Sequence, residues 1–299
     1  METLRVAFCD FWPEITQENA FLPILEKHFE VKVTKKNPDV VIHSIFNRKL
    51  EAPRFKCKKI LFIAENIRYS YDTRTKSKIN QALNTTNYTI SFDPENEKNY
   101  RLPLWQYFIL MNPDYKKDLF EEKIIWDKER MDRFCAFVVS NQSNFIRNSA
   151  YTSLSSYRRV HSYGRFMTND LSLQKLSKGK YWRDAKMEYF KKVVHKFMFA
   201  MENTSYPWYC TEKIMDAFLV GSIPIYWGDP KIGKDWNQKA FINLQKEGTS
   251  WTDKIRKLDQ NNGLFNSIYE QPVFTDEQKE RHLSNMDEFE NWLVSKIKE

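Results

Sequence analysis

Short apolar runs that stop abruptly at polar or charged residues recur along this chain, with helical stretches between them. That alternation limits the fold more than any other feature. β-Branched runs separated by helices predict a layered α/β chain with parallel sheets, because parallel neighbours need a long crossover, usually a helix. In the first third, residues 4–11, 31–33, 39–46, 59–66 and 88–92 read as strands and 21–29 as a helix. Residues 113–133 are charged with little alternation and read as a connection. A second set follows, with strands over 134–141, 159–164, 195–203, 222–229 and 239–244 and helices over 147–157, 184–194 and 211–221. From Thr275 onward a long helix is expected, acidic early and basic late, in the order a helix dipole favours. The expectation is two α/β domains facing a cleft, residues 1–128 and 129–274, with 275–299 as a C-terminal helix.

Glycine usage then narrows the chemistry. The chain holds 7 glycines in 299 residues, and none of them cluster. Walker loops and G-x-G-x-x-G turns are therefore excluded. Any phosphate must be held by side chains and helix ends. A formal net charge of +8 suits anionic or phosphorylated ligands. The Lys and Arg residues are dispersed, which argues against nucleic acid. No apolar stretch is long enough for a membrane span, and the first residues lack a basic leader with an apolar core. Cys9, Cys57, Cys135 and Cys210 lie far apart without C-x-x-C spacing, and the five histidines are scattered. That pattern fits neither a zinc site nor a disulfide framework. A reduced, cytoplasmic, metal-free protein is expected.

In open parallel sheets ligands gather beyond the C-terminal ends of strands. Three strand ends carry suitable residues. The first is KILFIAEN, where Glu65 and Asn66 follow an apolar run. A partly desolvated carboxylate there suits a general base; a solvent-facing or helix-capping Glu is the plainer alternative. The second is FVVSNQSNFIRN, with Ser140, Asn141, Ser143 and Asn144 in a polar turn and Arg147 opening the next helix. A cation at a helix N-terminus opposes the dipole unless an anion binds there; otherwise Arg147 leans into solvent. The third is FMFAMENTSYPWYCTEKIMDAFLVGSIPIYWGDP. Glu202 and Asn203 end a strand, Thr211 suits an N-cap, and Glu212 and Lys213 fill the first helical turn. Arg147 and Lys213, from two strand–helix turns of one sheet, would form a diphosphate site without glycines. The alternative is an ordinary cap with surface charges. Asp216 reads as structural, and Tyr226-Trp227-Gly228 as core.

The third segment resembles the signature of the α1,3/4-fucosyltransferases, glycosyltransferase family 10. The likeness runs from FAMENT through TEKIMDAFLVGSIPIYWGDP and keeps the spacing from Asn203 to Glu212 and Lys213. CAFVVSNQSNFIRNSAYTSL resembles the family's S-N…R turn with Arg147 in the arginine position, and LFIAEN its F-x-[GA]-E-N segment with Glu65 in the base position. Together the resemblance covers residues 59–245.

The resemblance implies a GT-B fold, two Rossmann-like domains facing a central cleft, with GDP-β-L-fucose in the C-terminal one and the acceptor in the N-terminal one. It implies inverting transfer to a GlcNAc hydroxyl of an N-acetyllactosamine or Lewis-type glycan, in α1,3 or α1,4 linkage. The acceptor would be an oligosaccharide, lipopolysaccharide or glycolipid. Glu65 would be the general base and Glu212 the second catalytic carboxylate. Arg147, Lys213, Asn203, Tyr209, Asn141 and Ser140 would hold the donor and its diphosphate. No metal is obligatory on this likeness, with Mn²⁺ or Mg²⁺ at most stimulatory. The chain shows no Golgi-type N-terminal anchor and no C-terminal heptad repeats or basic tail, so a bacterial-type enzyme is expected, cytoplasmic or peripheral on the inner membrane face. Two alternatives stand beside it: a GT-B enzyme using another nucleotide sugar, and a non-catalytic glycan-binding protein. The loop SYPWYC is bulkier than the glycine-containing loops of many bacterial members. Residues 68–87, after Glu65, are the expected place for acceptor contacts.

Overall fold

Among the described residues the named strands pair only in parallel, as the run-and-helix pattern requires. The computed structural model describes residues 1–12, 19–68, 73–121 and 123–299. The chain divides into one unit of residues 1–112 with 281–299 and another of 113–280.

The first unit is built on β1 (Thr3–Cys9), α1 (Phe21–Glu26), β2 (Glu30–Val33), β3 (Val40–His43), β4 (Lys58–Ile63), α2 (Thr73–Thr85), β5 (Tyr88–Ser91), β6 (Asn99–Arg101) and α3 (Leu104–Met111). Its sheet order is β2-β1-β3-β4-β5-β6. β3 is buried at every position and β4 at all but its first, the mark of strands covered on both faces. Asp10, just past β1, sits at φ +63° and accepts from the backbone N–H of Glu51 (3.0 Å) and Ala52 (3.0 Å), pinning the loop after β3. Residues 281–299 complete this core. Phe289 and Leu293 are fully buried, and Phe289 packs 5.2 Å from Tyr100.

The second unit runs through α4 (Pro113–Phe120), β7 (Arg133–Phe137), α5 (Phe145–Ser155), β8 (Val160–Ser162), α6 (Ser172–Leu176), α7 (Trp182–Lys192), β9 (His195–Met201), α8 (Glu212–Leu219), β10 (Ile223–Trp227), β11 (Ile242–Asn243), α9 (Leu244–Glu247), α10 (Trp251–Gln260) and α11 (Asn262–Tyr269). Helix α12 (Asp276–Lys298) begins here and continues into the residues of the first unit. The sheet order is β11-β10-β9-β7-β8. Edge-to-face pairs tie its central strands, Phe134 on Phe197 (5.6 Å) and Phe137 on Phe199 (5.5 Å).

The boundaries differ from expectation in stated places. The units part at 112/113 rather than 128/129, and residues 281–299 belong with the first unit instead of standing apart. The stretch 113–133 holds α4, whose Tyr115, Leu119 and Phe120 are buried. The strand expected over 239–244 shortens to β11, two residues. Of the acceptor stretch 68–87, residues 69–72 lie outside the described residues, and 73–85 form α2.

Buried histidines give the fold a pH dependence. Burial lowers His43 to about 4 and His195 to about 3. Nε2 of His43 has no hydrogen-bond partner among the described residues, so a proton there would be uncompensated. Both folded-state values lie below the ordinary one near 6.5. Their contribution is therefore complete above pH 6.5 and is lost as pH falls, since the unfolded chain takes up protons first. For His43 the loss amounts to about 3 kcal/mol by pH 4. Carboxylates that cations hold at lowered values remain ionised in both states down to about pH 5, so the falling slope between 6.5 and 5 comes from the histidines, opposed by Glu202, whose carboxyl burial raises. The urea midpoint should fall across that window; a flat or rising midpoint would contradict this.

Candidate functional site

In the second unit the strand order reverses between β7 and β9, and the turns leaving these two strands are locked together. Such reversals open a crevice at the C-terminal edge where ligands bind. Asn144 caps α5 by accepting from Arg147 N–H (3.1 Å), and its Nδ2 donates to the Asn203 carbonyl (2.9 Å). Arg147 is 3% exposed. Its Nη1 donates to Asn203 Oδ1 (2.9 Å) and its Nη2 to the Asn141 carbonyl (2.9 Å). Arg147 does not lean into open solvent; it ties the two turns together.

The second turn is built around Glu202, whose carboxylate is fully buried. Thr211 donates its N–H to Oε1 (2.7 Å) and its hydroxyl to Oε2 (2.6 Å). Lys213 Nζ lies 3.2 Å from Oε2, donates to Thr211 Oγ1 (2.9 Å), and stands 3.7 Å from Glu212 Oε1. Gly228 at the end of β10 makes room, because a Cβ there would stand 2.4 Å from Glu202 Cγ. Burial pushes the Glu202 carboxyl up, against the pull of Lys213.

Glu212 behaves oppositely. Burial favours its neutral form, yet Lys213, Arg183 and Lys186 outweigh that and hold it at about 2. It is a fixed negative charge at neutral pH. Arg183 and Lys186 come from α7 and converge on buried Asp216: Arg183 Nη2 at 2.5 Å, Nη1 at 3.1 Å, and Lys186 Nζ at 2.8 Å. Lys186 and Lys213 also line one cavity of about 20 Å³, room for a single water.

The loop between β9 and α8 is strained and clamped. Trp208 has φ +69°, rare for a bulky residue. Its N–H donates to buried Asp229 Oδ1 (2.7 Å), and Ser205 Oγ donates to the Gly228 carbonyl (2.7 Å). Tyr209, expected at the donor, is 1% exposed. It therefore presents almost no surface, and the partly exposed aromatics of this loop are Tyr206 and Trp208. Ser140 and Asn141 are exposed, and Asn141 reaches the network through its backbone carbonyl.

Glu65 belongs to the first unit, two residues beyond β4, and is partly exposed. Buried Asn66 beside it accepts from Arg68 N–H (3.0 Å), and Arg68 pairs with Asp93 past β5 (2.7 Å). The strand order of this unit reverses between β1 and β3. There Trp12 stacks on Phe46 with centroids 3.9 Å apart and both rings partly exposed.

Structure thus joins Arg147, Asn141 and Asn203 in one network, and Lys213 and Glu212 in an adjoining one. Sequence reasoning assigned no role to Glu202, although an apolar strand ending in Glu was its signal. It also passed over Arg183 and Lys186, whose distance along the chain from Asp216 left no signal.

The family profile for the alpha-(1,3)-fucosyltransferase FucT N-terminal domain matches residues 6–108. The profile for glycosyltransferase family 10 (fucosyltransferase) C-term matches residues 127–285. The alpha-(1,3)-fucosyltransferase FucT of Helicobacter pylori is 33% identical over 156 residues, 51% of this chain and 30% of that protein. The GDP-fucose protein O-fucosyltransferase 3 of Rattus norvegicus is 31% identical over 155 residues, 50% of this chain and 32% of that protein. The match therefore takes in about a third of each curated relative's length. A crystal structure of an alpha1,3-fucosyltransferase with GDP-fucose aligns with TM-score 0.65 and 21% identity over 97% of this chain and 91% of that one. A second crystal structure of an alpha1,3-fucosyltransferase gives 0.69 and 22% over 97% and 90%. At that identity the likeness is one of fold, the GT-B arrangement of two Rossmann-like units.

Proposed function

Because this chain belongs to glycosyltransferase family 10, the fucosyltransferases, we propose that it transfers L-fucose from GDP-β-L-fucose to a hydroxyl of a glycan acceptor. The observation that carries this is the pair of locked turns at the β7/β9 reversal, where Arg147 and Lys213 stand at the first turns of α5 and α8. Two helix N-termini and two cations suit a diphosphate without any glycine loop. Charge growing on the departing GDP is stabilised there, and no metal is required for that role. Glu212, ionised at neutral pH, binds fucose hydroxyls or steadies the oxocarbenium-like centre. Glu65 takes the acceptor proton, so that one in-line displacement inverts the β-linked donor to an α-fucoside. The stacked Trp12 and Phe46 offer an apolar face for a sugar ring. The acceptor we favour is an N-acetyllactosamine-type glycan in α1,3 or α1,4 linkage. A second reading, transfer to a protein hydroxyl, is favoured by the match to the rat protein O-fucosyltransferase.

Calorimetric titration without added metal tests the donor. GDP and GDP-fucose should bind, and GDP-mannose and UDP-galactose should bind weakly by comparison. Lys213→Ala should weaken GDP about 10- to 100-fold, the scale of a lost charge-assisted contact. Unchanged GDP affinity in that variant would remove the diphosphate assignment. Fucose released to water or to a panel of glycan and peptide acceptors then separates the two acceptor readings.

A further inference from the structure

Lys213 does not stand at the N-terminus of α8 by itself. Its ammonium rests on the Thr211 hydroxyl (2.9 Å) and beside Glu202 Oε2 (3.2 Å). Thr211, at the N-cap position, makes no side-chain cap bond to its helix, since its hydroxyl is turned toward Glu202. The same carboxylate receives the Thr211 N–H, so it fixes both the start of the helix and the hydroxyl that supports the lysine. Glu202 is 0% exposed, and Gly228 is required for its side chain to fit. A buried carboxylate is expensive unless its hydrogen bonds and a counter-ion compensate it, and here both bonds and ion lead to Lys213.

We propose that Glu202 is a positioning residue for donor binding, acting through Thr211 and Lys213 to aim the ammonium at the diphosphate. This rests on the diphosphate assignment of Lys213 made above. It deepens that assignment by naming the group that sets the lysine. An uninvolved carboxylate so close to a bound diphosphate would only repel it, and removing its charge would tighten binding. A positioning carboxylate has the opposite sign: its loss weakens binding, because the cation is no longer held where it is used.

Glu202→Gln separates these. The amide keeps an oxygen for the Thr211 N–H but turns an NH₂ donor toward the Thr211 hydroxyl and the lysine, replacing their acceptor. GDP affinity is measured by calorimetry in Glu202→Gln, Lys213→Ala and the double variant, after thermal melts establish that each is folded. A group acting through Lys213 must be non-additive with it. The expected result is about a 10-fold loss of GDP affinity from Glu202→Gln in the native background and less than about 2-fold in the Lys213→Ala background. Equal losses in both backgrounds, no loss, or tighter GDP would overturn the proposal while leaving the diphosphate site in place. No effect of Lys213→Ala itself would remove the assignment beneath it, a distinguishable failure. Should Glu202→Gln not fold, Thr211→Val carries the same cycle. It deletes the hydroxyl between Glu202 and Lys213 at nearly constant volume, with about a 3-fold loss expected in the native background only.

Discussion

Glu65→Gln should lower turnover by about 10²- to 10⁴-fold while leaving GDP affinity within about 2-fold. The substitution changes neither length nor shape and removes only the ability to accept a proton. An acceptor hydroxyl is a poor nucleophile at neutral pH, and in-line displacement needs its proton taken as the new bond forms. The sheet sets where Glu65 stands. β4 delivers it at the C-terminal edge, next to the β1/β3 reversal where Trp12 and Phe46 stack, and leaves it partly exposed. The donor groups lie in the other unit's sequence, so a base assignment requires GDP affinity to be untouched. Initial rates with GDP-fucose and acceptor, set beside calorimetry with GDP, decide it. Turnover near the native value would exclude Glu65 as the base. Loss of GDP affinity together with turnover would point to a folding defect instead.

Asp216→Ala should cost about 3–5 kcal/mol of stability, seen as a lower unfolding midpoint of the second unit. The carboxylate is 1% exposed and receives three charge-assisted hydrogen bonds, two from Arg183 and one from Lys186. Removing it strands the buried Arg183 guanidinium and the partly buried Lys186 ammonium without their shared carboxylate. Desolvation, rather than the lost attraction, then sets the magnitude. Replacing all three by apolar residues of similar volume should cost far less, since no charge is stranded. A loss below about 1 kcal/mol in the single variant would mean that water reaches the cluster. The same two cations help to keep Glu212 ionised.

Much of this was readable from the sequence, for reasons that can be named. After two polar residues each, β4 and β9 run on as unbroken apolar stretches because both sheet faces are covered, and each is followed within two residues by a glutamate. The C-terminal ends of parallel strands are where ligands gather in such sheets, which is why position and charge single out Glu65, Arg147 and Lys213 as candidates. Helix α3 was not identified. Six of its eight residues are buried, and a helix buried all round shows no 3.6-residue period. β6 is three residues with one buried aromatic, too short for any alternation to register. Helix α4 was hidden by its lysines and aspartates. At the site, the side chains on a strand–helix turn could be named, but their burial could not. Tyr209 and Trp208 are neighbours in one aromatic loop, yet Tyr209 is buried while Trp208, at φ +69°, is partly exposed.

The split composition of the first unit has a consequence for synthesis. A ribosome emits residues 1–112 first, then all of 113–280, and only then the segment that carries Phe289 and Leu293 into the first core. Of these two units the one that starts first is therefore completed second, reversing the usual order in which domains mature along a nascent chain. Until residues 281–299 emerge, the β1–β6 sheet must wait with an uncovered apolar face where Tyr100 and Phe21 meet Phe289. In that interval the nascent chain is most exposed to aggregation, and a chaperone that binds apolar surface has most to offer it.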